Sequence, residues 1–237
     1  MIELWGMSSP NVQKVLIALE ELALPYRLHY VDVLMNDQYD LAFEALTPNR
    51  KVPVIVDPEG PDGQSLTLWE SGAILMYLAD KAGALAPRDA AGRYALLQWL
   101  MFQMSGIGPM FGQHSHFKVY AKDEAHAYSR ARYATEAKRL YDVVERRLGE
   151  SRYLAGDDYT IADIAAWPWL RAPGMRGLQA SEIPAVARWI EEIAARPAVV
   201  RAMGKVAEMP RRDLEQFQKD HPDRLDRYLG RGRYARP

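Results

Sequence analysis

Along this 237-residue chain the hydrophobic pattern changes period once, near Ala84, and that single change limits the folds open to it. Before it, strand-like runs alternate with helical stretches. Ile2-Glu3-Leu4-Trp5 reads as a strand, and a helix follows from Pro10 with Val12, Val15, Leu16, Leu19 and Leu22 at helical spacing. Ser9 stands at the N-cap and Pro10 at the first helical position, where each is favoured. A second strand is predicted near Tyr26 to Val33. Val52 to Val56 and Leu66 to Trp69 read as a hairpin across the turn-rich Asp57-Pro58-Glu59-Gly60-Pro61-Asp62-Gly63, and a helix from Ser71 to about Lys81 closes the unit. The order is βαβ, a connection, then ββα, which describes a small mixed sheet with helices packed on it. After Ala84 nothing alternates with period two, and helical spacing dominates to about residue 206. Thr160 and Asp163 are spaced as a capping box, with Tyr159 and Ile164 placed for a hydrophobic staple. That is a well-fastened helix start in a core and carries no chemistry.

The expected fold class is therefore α/β plus all-α, with domains over residues 1–84 and 90–206 and a polar tail over 207–237. Composition narrows the function. A formal net charge of −1 argues against a dedicated nucleic-acid binder. There is no cysteine, which excludes a disulfide scaffold, a thiolate zinc site and any nucleophilic thiol of the chain's own. Met1 leads straight into a strand with no targeting segment, so a cytoplasmic location is expected. From Tyr94 to Phe117 no Asp, Glu, Lys or Arg occurs, a length that could cross a bilayer. Gln98, Gln103, Ser105, Gln113, His114 and His116 interrupt it, and Gly106-Ile107-Gly108-Pro109 would break a spanning helix. We read a core helix ending in a kink, and no membrane association.

The strand and helix order is that of a thioredoxin-like domain. Pro53 opens a strand, where its missing N–H would be a defect, and a cis peptide there would account for it. The first helix begins at Ser8-Ser9-Pro10-Asn11, where a redox protein of that kind would carry cysteines. Without them the fold could still position a thiol supplied from outside, although Ser9-Pro10 also makes an ordinary helix start. A second strand-to-helix passage, Trp69-Glu70-Ser71-Gly72, gathers a carboxylate, a hydroxyl and free backbone N–H groups. Such an end binds a carboxylate through its N–H groups and dipole while the glutamate takes an ammonium. An α-amino acid head suits it; a plain Ser71 cap would look the same.

Glu70-Ser71-Gly72-Ala73-Ile74, Lys51-Val52-Pro53 and Thr160-Ile161-Ala162-Asp163-Ile164-Ala165 resemble three separate signatures of glutathione transferases. Ser9-Pro10-Asn11 and the stretch from Gln98-Trp99-Leu100 through Gly106-Ile107-Gly108-Pro109 to Gln113 are similar to the nu class, the bacterial group related to the yeast nitrogen-regulating prion protein. The likeness runs from residue 1 to about 205. It implies a thioredoxin-like N-terminal domain with an all-helical C-terminal glutathione transferase domain, glutathione as bound substrate with no metal, and a homodimer.

The same resemblance implies roles. Asn11, with Ser9 beside it, would hold the glutathione sulfur. Gln38 and Lys51 would lie along the peptide, and the backbone of Val52 would pair with its cysteinyl residue before Pro53. Glu70 and Ser71 would take the γ-glutamyl head, and Arg132 would reach the site from the helical domain. The nu pattern usually has Thr where Ser9 stands, and paired histidines where this chain reads His114-Ser115-His116. Two residues apart and without carboxylates nearby, those histidines make a poor metal site. Three functions fit: conjugation of glutathione to an electrophile, glutathione-dependent reduction of a disulfide, or non-catalytic binding and regulation.

Energetics favour an enzyme without a general base. A thiol of pKa about 8.5 is only about 3% ionised at pH 7. Lowering that pKa by two units requires about 2.7 kcal/mol and brings the thiolate to roughly three-quarters. One or two hydrogen bonds to the charged sulfur, at about 1.5–3 kcal/mol each, supply it. The helix N-terminus adds about 0.3–1 kcal/mol. Beyond Pro210 the resemblance ends: residues 211–237 hold eight Lys or Arg against five Asp or Glu. They read as a solvated extension, with Phe217 and Tyr228 available to dock it onto the helical domain.

Overall fold

The computed structural model describes residues 1–121 and 127–235. They form two compact units, Met1–Ile74 with Arg201–Pro237, and Leu75–Val200. This division by contact falls inside a helix and gives the tail to the first unit, whereas the change of sequence period lies near Ala84.

The first unit is built on a four-stranded mixed sheet. In chain order its elements are β1 (Ile2–Gly6), α1 (Pro10–Glu21), β2 (Tyr26–Tyr30), the short α2 (Leu41–Glu44), β3 (Val54–Asp57), β4 (Leu66–Trp69) and the start of α3 (Ser71–Ala82). The sheet order is β2-β1-β3-β4. β1 and β2 are parallel from Ile2 opposite Tyr26 to Gly6 opposite Tyr30. β3 is antiparallel to both β1 and β4. This is the βαβ-ββα order read from the sequence.

β2 stops at Tyr30 rather than Val33 because Asp32 turns the chain. Its carboxylate accepts from Leu34 N at 3.1 Å and Met35 N at 3.2 Å, an alternative to the ladder that aspartate commonly offers. Leu4, Val15, Leu16, Leu19, Val54 and Ile55 are wholly buried. Gly6 lets β1 and α1 meet: a Cβ there would stand 2.7 Å from both Val12 methyl groups, so only glycine fits. That approach brings the beginning of α1 to the end of β1.

The tail does dock, but on the first unit. It forms α10 (Leu214–Asp220) and α11 (Pro222–Leu229), after α9 (Pro197–Glu208), with Phe217 and Leu225 buried and Tyr228 only half-buried. Arg212 donates to Asp32 Oδ2 from Nε at 2.8 Å and Nη2 at 2.6 Å. Asn36 Nδ2 donates to Arg224 O at 3.1 Å, Arg224 donates to Met35 O, and the Arg227 guanidinium lies 3.8 Å from the centre of the Tyr39 ring. The excess of arginine in the tail thus meets the carboxylate and outward carbonyls of the 32–39 loop, a charge match that periodicity does not reveal.

The second unit is helical. It contains α4 (Ala90–Phe102), α5 (Gly108–Ser115), α6 (Ala127–Glu150), α7 (Ile161–Leu170) and α8 (Pro184–Ala194). The uncharged run from Tyr94 stays helical but does not keep one regular α-helical ladder. A π-turn, Gln103–Ile107, separates α4 from α5 where Gly106, Gly108 and Pro109 weaken the regular ladder. Among the described residues no helix is long and apolar enough to cross a membrane. At α7 the capping box is complete, and Asp163 goes further than capping. Fully buried, it accepts from Thr160 N at 3.0 Å, Leu154 N at 3.0 Å and Trp189 Nε1 at 2.9 Å. One carboxylate ties the helix start to the preceding loop and to α8. Burial pushes its carboxyl above the ordinary aspartate range, against these donors, which hold the charged form.

Candidate functional site

In the first unit a cavity of about 210 Å³ is lined by Asn11, Thr47, Asn49, Lys51, Val52, Pro53, Trp69, Glu70 and Ser71. Six of these were expected from the sequence; Thr47, Asn49 and Trp69 were not. The wall is made by two helix starts and a strand end. Asn11 is the second residue of α1, Ser71 is the first of α3, and Val52-Pro53 leads into β3. Neither helix carries an acidic residue in its first turn; the start of α1 favours an anion, while α3 begins directly after the Glu70 carboxylate and offers both signs side by side.

The Val52–Pro53 peptide is cis. Ladder pairing starts only at Val54, which is opposite Trp5 and Trp69, so the Val52 backbone precedes the sheet and borders the cavity. Glu70 holds φ at 70°, a left-handed conformation that costs a non-glycine residue about 1–3 kcal/mol. Its carbonyl accepts from Ile74 N at 3.0 Å, and its carboxylate accepts from Asn49 Nδ2 at 3.3 Å. The strained backbone turns the strand into the helix while leaving the carboxylate in the cavity wall beside the Ser71 hydroxyl. Thr47 is fully buried beneath, and its hydroxyl accepts from Asn49 N at 3.3 Å. Asn49 was legible only as part of the turn-like Thr47-Pro48-Asn49; nothing local says that it reaches Glu70.

The remaining predicted residues lie elsewhere. Ser9 is the N-cap of α1 and accepts from Val12 N at 3.4 Å, outside the cavity wall. Gln38 sits in the single-turn helix Asp37–Tyr39, buried, with its side-chain oxygen making no hydrogen bond. Arg132 belongs to the second unit, on α6, where it is more than half exposed and pairs with Glu136 at 3.9 Å. His114 is buried, and burial with the Arg176 and Lys118 charges pushes it down to about 4, so it is neutral near pH 7. Among the described residues no group of three or more His, Asp or Glu is placed to hold a metal ion.

One cation was missed. Lys14, a turn beyond Asn11 on α1, is only 1% exposed and donates from Nζ to Ser71 Oγ at 3.2 Å. Burial pushes its ammonium down to about 7, opposed by the Glu70 carboxylate. An unfolded lysine keeps its proton to about pH 10.4. Between about pH 7 and about pH 10 the unfolded chain therefore binds more protons than the folded one at this residue, and its contribution to stability rises with pH. Lys14→Met is expected to remove that rise and to stabilise the protein most at low pH. Denaturant titrations at about pH 6 and about pH 9 check it; an unchanged difference between the two would contradict a buried ammonium.

Known proteins match this chain along most of its length. Residues 8–81 match the family described as Glutathione S-transferase, N-terminal domain, and residues 102–197 match Glutathione S-transferase, C-terminal domain. Disulfide-bond oxidoreductase YfcG of Escherichia coli is 43% identical over 206 residues, covering 86% of this chain and 95% of that protein. A glutathione transferase of Burkholderia graminis, solved with two glutathione molecules bound per subunit, is 47% identical, with a TM-score of 0.82 over 87% of this chain and 89% of its own. One from Pseudomonas putida, solved with one glutathione disulfide per subunit, is 43% identical, with a TM-score of 0.80 over 85% and 90%. Both family domains are present in order, each on the part of the chain whose architecture it describes, and the chain belongs to the glutathione S-transferase family.

Proposed function

We propose that this protein is a glutathione-dependent enzyme of the nu class whose main activity is reduction of disulfides. The observation that carries it is the cavity that gathers Asn11, Lys51, Val52, cis Pro53, Glu70 and Ser71 between the starts of two helices. A zwitterionic head needs an anion acceptor and a carboxylate side by side, and Ser71 and Glu70 supply both. A thiolate needs donors and a positive dipole end, which Asn11 at the start of α1 supplies, with Ser9 adjacent. Lys51 would lie along the peptide, with the Val52 backbone pairing with its cysteinyl residue; both line the cavity. The roles of Gln38 and Arg132 rest on the family resemblance alone. In this reading residues 1–84 hold glutathione, 90–206 form the helical domain that receives the second substrate, and 207–237 fasten the 32–39 loop.

Disulfide reduction is favoured over conjugation by the relatives: one is named for it, and others hold two glutathiones or glutathione disulfide. The bound glutathione thiolate attacks one sulfur of the substrate disulfide, forming a mixed disulfide and releasing the first thiol as thiolate. A second glutathione thiolate attacks the glutathione sulfur of that mixed disulfide. Glutathione disulfide forms and the second thiol leaves, two glutathiones having lost one electron each. The chain has no cysteine, so no covalent protein intermediate exists. A cytoplasmic site of action follows from the need for a reduced glutathione pool.

The test is turnover of a small dialkyl disulfide with glutathione, followed by intact-mass analysis of the protein. Turnover at two glutathiones per disulfide with an unmodified chain is expected. Glutathione attached to the protein, or conjugation of an aryl halide much faster than disulfide turnover, would overturn the reading.

A homodimer belongs to the same proposal. Tyr94 and Met101, two turns apart on α4, are 73% and 48% exposed, large apolar side chains available to a partner. Sedimentation equilibrium at micromolar concentration is expected to give a dimer; a monomer removes this part.

A further inference from the structure

We propose that Asn49 is a positioning residue for an ammonium-bearing ligand: by donating to Glu70 it holds that carboxylate in the cavity wall, ready for the α-amino group of an amino acid head. The inference rests on reading the cavity as a glutathione site. It assigns what makes the site prefer glutathione to the same peptide without its amino group.

A glutamate side chain has several rotatable bonds, and ordering it when a ligand arrives weakens binding. Glu70 is exposed, where such freedom is greatest. Its backbone is already fixed, with φ at 70° and its carbonyl accepting from Ile74 N at 3.0 Å. Its carboxylate is held from the neighbouring turn, where Asn49 Nδ2 donates to Oε1 at 3.3 Å. An ionised carboxylate has about four acceptor sites on its oxygens, so one amide donor leaves capacity for an ammonium. The amide is also neutral. It orients the carboxylate without cancelling the charge, as a lysine or arginine in its place would.

Asn49 is itself anchored in the core. Thr47 is fully buried, its hydroxyl accepts from Asn49 N at 3.3 Å, and its carbonyl accepts from Arg50 N at 3.3 Å. Arg50 takes a left-handed φ of 52°, which closes the turn. Its guanidinium pairs with Glu44 and lies 5.7 Å from the centre of the Tyr39 ring, so this neighbouring cation is engaged elsewhere. Val54 is opposite Trp69 in the β3–β4 ladder, which puts the end of this segment and Glu70 at the same end of the sheet. Asn49 therefore reaches Glu70 from a fixed base, and both residues line the cavity.

Calorimetry at about pH 6.5, where an α-amino group is protonated, tests this with two peptides. Glutathione is compared with glutaryl-cysteinylglycine, which keeps the carboxylate and lacks the amino group. Wild-type protein is expected to bind glutathione the more tightly. Asn49→Ala should weaken glutathione about three- to tenfold, the effect of having to order one long side chain on binding. The glutaryl peptide should weaken by less than about twofold. In a Glu70→Gln background Asn49→Ala should have little further effect, since the two residues act as one unit. If Asn49→Ala does not fold, Asn49→Ser, a turn-forming residue with a shorter side chain, carries the same comparison. Equal weakening of both peptides, or unchanged affinity for glutathione, would overturn the proposal, and so would full additivity with Glu70→Gln. A wild-type protein that binds both peptides equally would show that Glu70 takes no ammonium, ending this inference but not the glutathione reading. A wild-type protein that binds neither overturns both together.

Discussion

Replacing Asp163 by alanine is expected to cost about 4 kcal/mol of stability or more, well beyond the effect of a typical single substitution. The carboxylate is fully buried and answers donors from three places: Thr160 N at the start of α7, Leu154 N in the loop before it, and Trp189 Nε1 on α8. Alanine leaves these donors unpaired in the interior, and each buried unpaired donor costs about 1–3 kcal/mol. The capping box disappears at the same time, a loss of about 1 kcal/mol. Asp163→Asn keeps the shape and one acceptor, so it should fall between wild type and alanine. Chemical denaturation followed by tryptophan fluorescence checks this directly, because Trp189 is one of the partners. A loss below about 1 kcal/mol for Asp163→Ala would show that water or repacking replaces the carboxylate.

Asn11→Ala should slow glutathione-dependent turnover about ten- to a hundredfold at neutral pH, which corresponds to about 1.5–3 kcal/mol for one donor to a charged sulfur. The sign of the pH dependence follows from the thiol. Free glutathione ionises without help above a pKa of about 8.5, so the deficit should shrink as pH rises past that value. Ser9→Ala is expected to cost less in rate. Its oxygen accepts from Val12 N at 3.4 Å, and it lies outside the cavity wall, so part of its effect is lost capping and appears as stability, about 1 kcal/mol. The comparison requires chemistry to limit the rate, and a pre-steady-state measurement of the first turnover establishes that. A full-rate Asn11→Ala variant at pH 7 would remove Asn11 from the mechanism.

Much of the architecture could be read from period and punctuation. The βαβ-ββα order, the hairpin, the helix from Ser71 and the capping box at Thr160 all depend on neighbours in sequence, which is where propensity and capping act. Pro53 before a β-branched run marked the strand's start: ladder pairing begins one residue later, at Val54, and the Val52–Pro53 peptide is cis. What escaped depends on contacts between distant residues. Asp163 was legible as a cap, but its bond to Trp189 crosses 26 positions. Nothing local singles out Lys14: α1 is buried from Val12 to Leu19, and Ser71 meets it from 57 positions away. Asn49 reaches Glu70 only because the 47–53 loop folds back to the strand end. Gly6 is needed because of one methyl-bearing neighbour on α1. The tail's own composition is polar and by itself reads as a solvated extension, with the helical domain as its possible dock. Its partner is the Asp32 carboxylate, which a reading of the tail alone cannot contain.

The central claim is that the cavity binds glutathione and holds its sulfur as thiolate. Ultraviolet titration of the thiolate absorbance of glutathione bound to saturation tests it without any second substrate. The bound thiol is expected to titrate about two units below free glutathione, near pH 6.5, and Asn11→Ala with Ser9→Ala should return it toward about 8.5. Glutathione that binds wild-type protein yet titrates as it does in free solution would contradict the account.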